Sequence, residues 1–129
     1  MARLLKIKSI EDSRGTLSVL EGELSVPFAI QRVYYIYGVK TLSRGGHRHK
    51  KTRQFLICLS GSCVVEVDSG NGPARYSLET PSTGLLVEPE DWHVMRDFSK
   101  GAVLLVLASE HFADEDYIDE PYGSDGTVE

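Results

Sequence analysis

The chain is a succession of apolar and β-branched runs, each four to seven residues long, cut at short intervals by Gly, Pro, Ser and Asn. Runs that short bury little as helices but pair well as strands, and closing many such strands into a barrel or sandwich hides their open edges. The clearest strand candidates span residues 32–37, 54–59, 63–68, 75–78, 84–87 and 102–108, with shorter ones at 4–7 and 16–20. The run 63–68 alternates apolar and polar residues, as a strand buried on one face does. The run 102–108 is apolar on both faces, which predicts a place between two sheets or beneath a partner subunit. Turn chemistry agrees with these divisions. Asp12-Ser13-Arg14-Gly15 and Ser69-Gly70-Asn71-Gly72 tolerate positive φ, and Pro27, Pro81 and Pro89 fall outside strand interiors. The longest helical option is 109–118, which Pro121 would stop.

At 129 residues, with 41% apolar and 26% charged, the chain predicts one globular domain over 1–129, with 119–129 as a flexible tail. No stretch approaches the roughly 18 apolar residues of a membrane span, and the N-terminus lacks the order of a secretion signal, so a cytoplasmic protein without membrane attachment is expected. The formal net charge of −5 provides no basic field for nucleic acid, although a few arginines can still hold a small anion. Cys58 and Cys63 flank Ser60-Gly61, and a hairpin there would set them opposite each other. A reducing compartment favours two packed thiols over a disulfide.

Chemistry concentrates in Arg44-Gly45-Gly46-His47-Arg48-His49-Lys50-Lys51-Thr52-Arg53-Gln54. In extended backbone His47 and His49 project from one face and can act on one small object. His93 follows Pro89-Glu90-Asp91-Trp92, and a barrel could bring it to the same place, whereas His111 reads as a surface residue. Three convergent imidazoles raise the question of a metal. The spacing resembles the first motif of the cupin superfamily, His-x-His, four residues, Glu, six residues, Gly, but Gln54 stands where the Glu would be. A neutral amide is a poorer ligand, and Arg48, Lys50, Lys51 and Arg53 penalise a dication. The expectation is therefore no metal and no cofactor, an anionic substrate, and imidazoles neutral enough to act as bases.

Further segments carry a closer resemblance: Arg32-Val33-Tyr34-Tyr35-Ile36-Tyr37, the His47 and His49 stretch, Cys58 to Cys63, Pro89 to His93 with Met95 and Asp97-Phe98, and Val106 to Ser109. In order and nearly from end to end, they resemble the nucleotide-sugar 3,4-ketoisomerases, small metal-free cupins that act on dTDP-4-keto-6-deoxyglucose. The resemblance implies an all-β, cupin-type β-barrel or jelly roll and a dTDP-linked keto-sugar as substrate. It also implies a carbonyl shift from carbon 4 to carbon 3 through an enediolate, and a homodimer that packs sheets or exchanges N-terminal strands. It further implies His49 as principal base, His47 as its partner and Tyr35 in the site. Arg14, Arg32, Arg44 and Arg96 are candidates for the diphosphate or sugar, with Arg14 and Arg96 foremost, and His93 is expected among the substrate-binding residues. Trp92 could stack on a base or anchor a core or interface. Arg48 departs from the small residue common between the histidines, and Arg53 stands where an acidic residue would be unsurprising. The rival readings are a deoxysugar 3,5-epimerase, a metal-dependent cupin oxygenase or isomerase, and a non-catalytic sugar-binding cupin.

Overall fold

Twelve strands form in the computed structural model, which describes residues 1–123. They are β1 (Arg3–Lys6), β2 (Lys8–Asp12), β3 (Gly15–Val19), β4 (Arg32–Tyr37), β5 (Ser43–His49), β6 (Gln54–Ser60), β7 (Cys63–Asp68), β8 (Pro73–Leu78), β9 (Thr83–Val87), β10 (Trp92–Arg96), β11 (Val103–Ala108) and β12 (Tyr117–Ile118). Two five-stranded antiparallel sheets result, ordered β1-β9-β6-β11-β4 and β12-β5-β10-β7-β8, with β2 and β3 pairing only with each other. This is the barrel or sandwich expected from the short runs and the cupin-type jelly roll implied by the resemblance, since two facing sheets bury the inward side of every strand.

Alternation decides what each strand buries. In β7, Cys63, Val65 and Val67 are buried and the residues between them are half-exposed. They join Leu104, Val106 and Met95 in the core between the sheets. Strand β6 is buried on both faces over Gln54–Cys58 because residues 20–30 fold over the outside of the first sheet, where Val26 and Phe28 cover Phe55, Ile57 and Leu107. The same cover explains β11. Its inner residues Leu104 and Val106 lie in the core, and its outer Leu107 lies under this segment rather than under another sheet.

The turn after β6 does not make a hairpin: β6 belongs to the first sheet and β7 to the second, so the chain crosses between sheets at Gly61-Ser62. Gly61 has φ +72, and Ser62 N–H donates to Ser99 Oγ beside it. Cys58 and Cys63 are therefore both inward, buried and free, one on each sheet.

The helix expected over 109–118 does not form. One 3₁₀ turn at Asp114–Asp116 leads into β12, whose Tyr117 and Ile118 pair with His49 and Arg48 of β5. Tertiary pairing overrides local preference here, because the Asp116 carboxylate accepts from the backbone N–H groups of Lys50 and Lys51. The expected tail is also tied down at its start. Trp92 Nε1 donates to the Asp119 carbonyl (3.1 Å), and the Tyr122 hydroxyl donates to the Glu90 carbonyl (2.6 Å). The rest of it, 124–129, lies outside the described residues. Among the described residues no helix is long and apolar enough to cross a membrane.

Candidate active site

Strands β5 and β10 are antiparallel neighbours in the second sheet, with His47 directly opposite His93. His47 and His49, two residues apart, both face inward, and the three imidazoles cluster with ring centroids 5.0 to 6.2 Å apart. Register then slips by one residue. Val94 pairs with Gly45 and Met95 with Arg44, leaving Gly46 as an inserted residue. Gly45 and Gly46 have φ +91 and +87, a region that favours glycine, so this bulge needs the Gly-Gly pair. Its consequence is that Arg44 pairs with the inward residue Met95 rather than taking the outward side that strict alternation from His47 would give it.

His49 is 4% exposed, and its Nδ1 lies 2.8 Å from Asp116 Oδ2. Burial pushes the Asp116 carboxyl up, but bonds from the Thr52 hydroxyl, Lys51 N–H and His49 outweigh it and hold the group at about 2. An ionised carboxylate only accepts, so Nδ1 of His49 carries the proton and Nε2 keeps its lone pair. That Nε2 is buried and makes no hydrogen bond. His93 is arranged alike, its Nδ1 donating to the Asp91 carbonyl at 3.0 Å. Burial lowers the pKa of His49, opposed by Asp116 and reinforced slightly by Arg32. Burial, then the proximity of His93 and His49, lowers His47 to about 3. Burial lowers His93 to about 4 against the pull of the Asp91 carbonyl. All three are neutral at pH 7, and burial rather than the basic flank is the main cause.

Facing them from β4 and β6 are Tyr34 and Gln54. The Gln54 amide Nε2 donates to the Tyr34 hydroxyl at 2.8 Å, and its buried Oε1 makes no hydrogen bond. Burial and the nearby Tyr117 push Tyr34 up to about 12 against Arg32, Gln54 and Arg44, so its hydroxyl keeps its proton and can donate it. The Tyr117 ring lies 4.6 Å from both His47 and His49. The set comprises a neutral base with a free lone pair, a protonated hydroxyl, and a second buried polar atom without a hydrogen bond, Gln54 Oε1. It can move a proton on and off a small polar molecule.

Residues 1–123 match the family described as FdtA: WxcM-like, C-terminal. The TDP-4-oxo-6-deoxy-alpha-D-glucose-3,4-oxoisomerase of Aneurinibacillus thermoaerophilus is 46% identical over 117 residues, 90% of this chain and 84% of that protein. The QdtA 3,4-ketoisomerase of Thermoanaerobacterium thermosaccharolyticum, solved as a double mutant with TDP, superposes with TM-score 0.89 and 47% identity over 92% of this chain and 87% of its own. The chain belongs to the sugar-nucleotide 3,4-ketoisomerases. The TDP-quinovose 3,4-ketoisomerase WlaRB of Campylobacter jejuni agrees, with TM-score 0.88, 40% identity and 92% coverage of both chains.

In this 3,4-ketoisomerase the expected residues are not all brought together. His47, His49 and His93 meet. Arg32 joins them from the inward side of β4, its guanidinium 4.5 Å over the Tyr34 ring and 5.3 Å over that of Phe112, and Arg44 lies close enough to Tyr34 to act on its charge. Two other expectations are corrected, and a third is not met within one chain. Tyr35 points away: it is 62% exposed and stacks on Tyr37, while Tyr34, one residue earlier, faces the histidines. Arg96 is an odd number of residues from His93, so it lies on the outer face of the second sheet, 3.1 Å from Glu66. Arg14 stands on the exposed β2–β3 hairpin, ion-paired with Asp12, and touches nothing of its own chain's site. Trp92 also lies outward, and His111 is exposed as expected. Asp116 and Tyr117 were missed, for nothing in one dimension separates Asp116 from its acidic neighbours. Tyr34 needed only the choice of face that counting leaves open.

Proposed function

We propose that this chain converts dTDP-4-keto-6-deoxyglucose to a dTDP-3-keto-6-deoxyhexose, without metal or cofactor, and that His49 is the base. The observation that carries the reading is the buried Nε2 of His49, left without a hydrogen bond while Asp116 holds the opposite nitrogen. The Aneurinibacillus relative is named for this substrate, and QdtA has been solved with TDP-4-keto-6-deoxyglucose bound. The hydrogen on carbon 3 is acidified by the neighbouring carbonyl. Nε2 takes it, the electron pair forms the carbon 3 to carbon 4 double bond of the enediolate, and the proton returns to carbon 4. The hydroxyl proton on oxygen 3 passes to oxygen 4, so no external oxidant or reductant enters. His47 and Tyr34 sit beside this path and serve that oxygen-to-oxygen transfer. Arg32 and Arg44 supply guanidinium donors for the diphosphate, and His93 holds the sugar.

The reading extends to a single catalytic domain working in the cytoplasm as a homodimer. Free, buried Cys58 and Cys63 fit a reducing compartment. Two features favour the dimer. The β2–β3 hairpin lies outside both sheets with Ile10 and Leu17 paired and about half exposed, and β4 exposes Val33, Tyr35 and Tyr37 on its outer side. A second copy covering them would bring Arg14 to the partner's site. Ile10→Asp with Leu17→Asp should then halve the sedimenting mass and weaken TDP binding; a dimer unchanged by both would remove the hairpin from the interface.

The reaction itself is tested by a proton NMR time course on metal-stripped protein with dTDP-4-keto-6-deoxyglucose in deuterated water. Conversion to a 3-keto sugar, abolished by His49→Asn, supports the reading. Deuterium entering carbon 5 indicates an epimerase, and tight binding without turnover indicates a binding module.

A further inference from the structure

We propose that Arg48 and Tyr122, on the outer face of the second sheet, are positioning residues for the His49–Asp116 pair; for its activity readout this inference rests on the isomerase reading. Everything that chain segment 114–122 gives the site comes at its inner end: Asp116 on His49 Nδ1, and the Tyr117 ring against His47 and His49. Yet this segment is held by little regular structure. Its strand, β12, is two residues long and pairs only with β5. So short a pairing is marginal by itself.

What holds the rest lies on the opposite side of the sheet. Beyond β12, which edges the sheet beside β5, the chain continues across the outer face, where Trp92 Nε1 and the Glu90 carbonyl take hold of Asp119 and Tyr122. The Arg48 guanidinium lies 4.5 Å over the Tyr122 ring. Arg48 adjoins His49 on the same strand and pairs with Ile118, so one pair of adjacent β5 residues grips the segment on both sides of the sheet: His49 inside through Asp116, Arg48 outside through Tyr122. Alternation makes this obligatory. The residue between two inward histidines must point outward, and its side chain cannot reach the ligand that they share. Arg48 thus acts on the reaction only through the segment that it clamps. If the outer end lifts, Asp116 keeps only its inner bonds to Lys50, Lys51 and Thr52, its hold on Nδ1 loosens, the two imidazole tautomers come closer in energy, and a fraction of molecules present N–H instead of a lone pair to the sugar.

The test combines two readouts. Long-range proton–nitrogen NMR of His49 in ligand-free protein reports its tautomer whether or not the protein turns over. The wild type should be protonated on Nδ1, and Arg48→Ala and Tyr122→Ala should each shift it to a mixture. Turnover should fall about tenfold in kcat for Tyr122→Ala, which loses a cation–π contact and a hydrogen bond, and less for Arg48→Ala, which loses only the first, with KM within about twofold in both. Because the effect passes through Asp116, neither substitution should cost anything further in an Asp116→Asn background. Tyr122→Phe, which keeps the ring under Arg48, should shift the tautomer less, and Arg48→Ala carries the test alone if Tyr122→Ala does not fold. A wild-type His49 spectrum in Arg48→Ala, or equal losses in both backgrounds, would overturn the proposal. A silent wild type with the expected tautomer shifts would instead sink the isomerase reading and leave the clamp standing.

Discussion

At one end of the space between the sheets, Cys58, Cys63, Val65 and Leu104 pack against one another; at the other, Tyr34, three histidines and Gln54, which shares β6 with Cys58, face inward. Burial acts alike on both. It pushes the Cys63 thiol up to about 12, helped by Cys58, and pulls His47 down to about 3, so each is neutral at pH 7. The difference lies in what the neutral group has left to offer. A buried thiol is nearly an apolar group, whereas a neutral imidazole keeps a strong acceptor. At the histidine end His49 Nε2 and Gln54 Oε1 are buried without hydrogen bonds. Each such atom costs about 1–3 kcal/mol in an empty site, a cost that a ligand's own polar groups remove on binding. The apolar end is built to be finished by folding, and the polar end by substrate.

Substitutions at the two ends should therefore fail differently. The largest effect expected is from His49→Asn, which removes the base: kcat per folded molecule should fall by about 10³ or more, with TDP affinity nearly unchanged. A variant keeping a tenth of wild-type kcat would move the base to His47. Leu104→Ala, at the apolar end, should do the reverse. It should cost about 2–5 kcal/mol in urea unfolding, as buried leucine truncations do, while kcat per folded molecule stays near wild type. A large kcat defect in fully folded Leu104→Ala protein would show that the two ends are coupled. Asp116→Asn stands between them. It removes the charge that holds the Nδ1 tautomer and should lower kcat by about 10². Because Asp116 opposes the lowering of His49 by burial, its loss should move the acid limb of kcat/KM to lower pH. A limb that stays in place would detach that limb from His49.

The two ends were also unequally legible. Period-2 patterning exposed β4, with the same limits as expected, and β7, because each strand's inward residues are its own nearest alternates. It exposed the His47 and His49 pair for the same reason. It could not reach Asp116, 67 residues beyond its partner His49, in a stretch whose acidic residues read as a helix. A one-residue choice of face exchanged Tyr35 for Tyr34, since Val33, Tyr35 and Tyr37 make as plausible an inner face as Tyr34 and Ile36. Only pairing with β11, whose inward Leu104 and Val106 lie opposite Ile36 and Tyr34, decides between them. Arg96 shows where alternation was available and unused, for counting from an inward His93 puts it outside. Arg44 is the opposite case. Counting inward from His47 misplaces it, because the Gly45-Gly46 bulge resets the register.

The smallest expected effect distinguishes the ends by acid. A histidine free in the unfolded chain takes up its proton near pH 6.5, whereas His47 and His93 when folded resist until about 3 and about 4, and His49 is also lowered. Between about pH 6.5 and 4 the unfolded state thus binds more protons than the folded state, and stability must fall as pH falls. Asp116 adds to this below its unfolded value of 3.8, since its folded carboxylate persists to about 2. Cys63 acts at the other extreme, where ionisation of the unfolded thiol above pH 9 draws the protein open. Urea midpoints measured from pH 7 to pH 4.5 should decline steadily in the wild type. The decline should be shallower in His47→Gln, which deletes one of the groups that protonates only on unfolding. If that variant kept the full wild-type slope, the acid sensitivity would belong to groups other than His47, and His47 would not resist protonation in the folded protein.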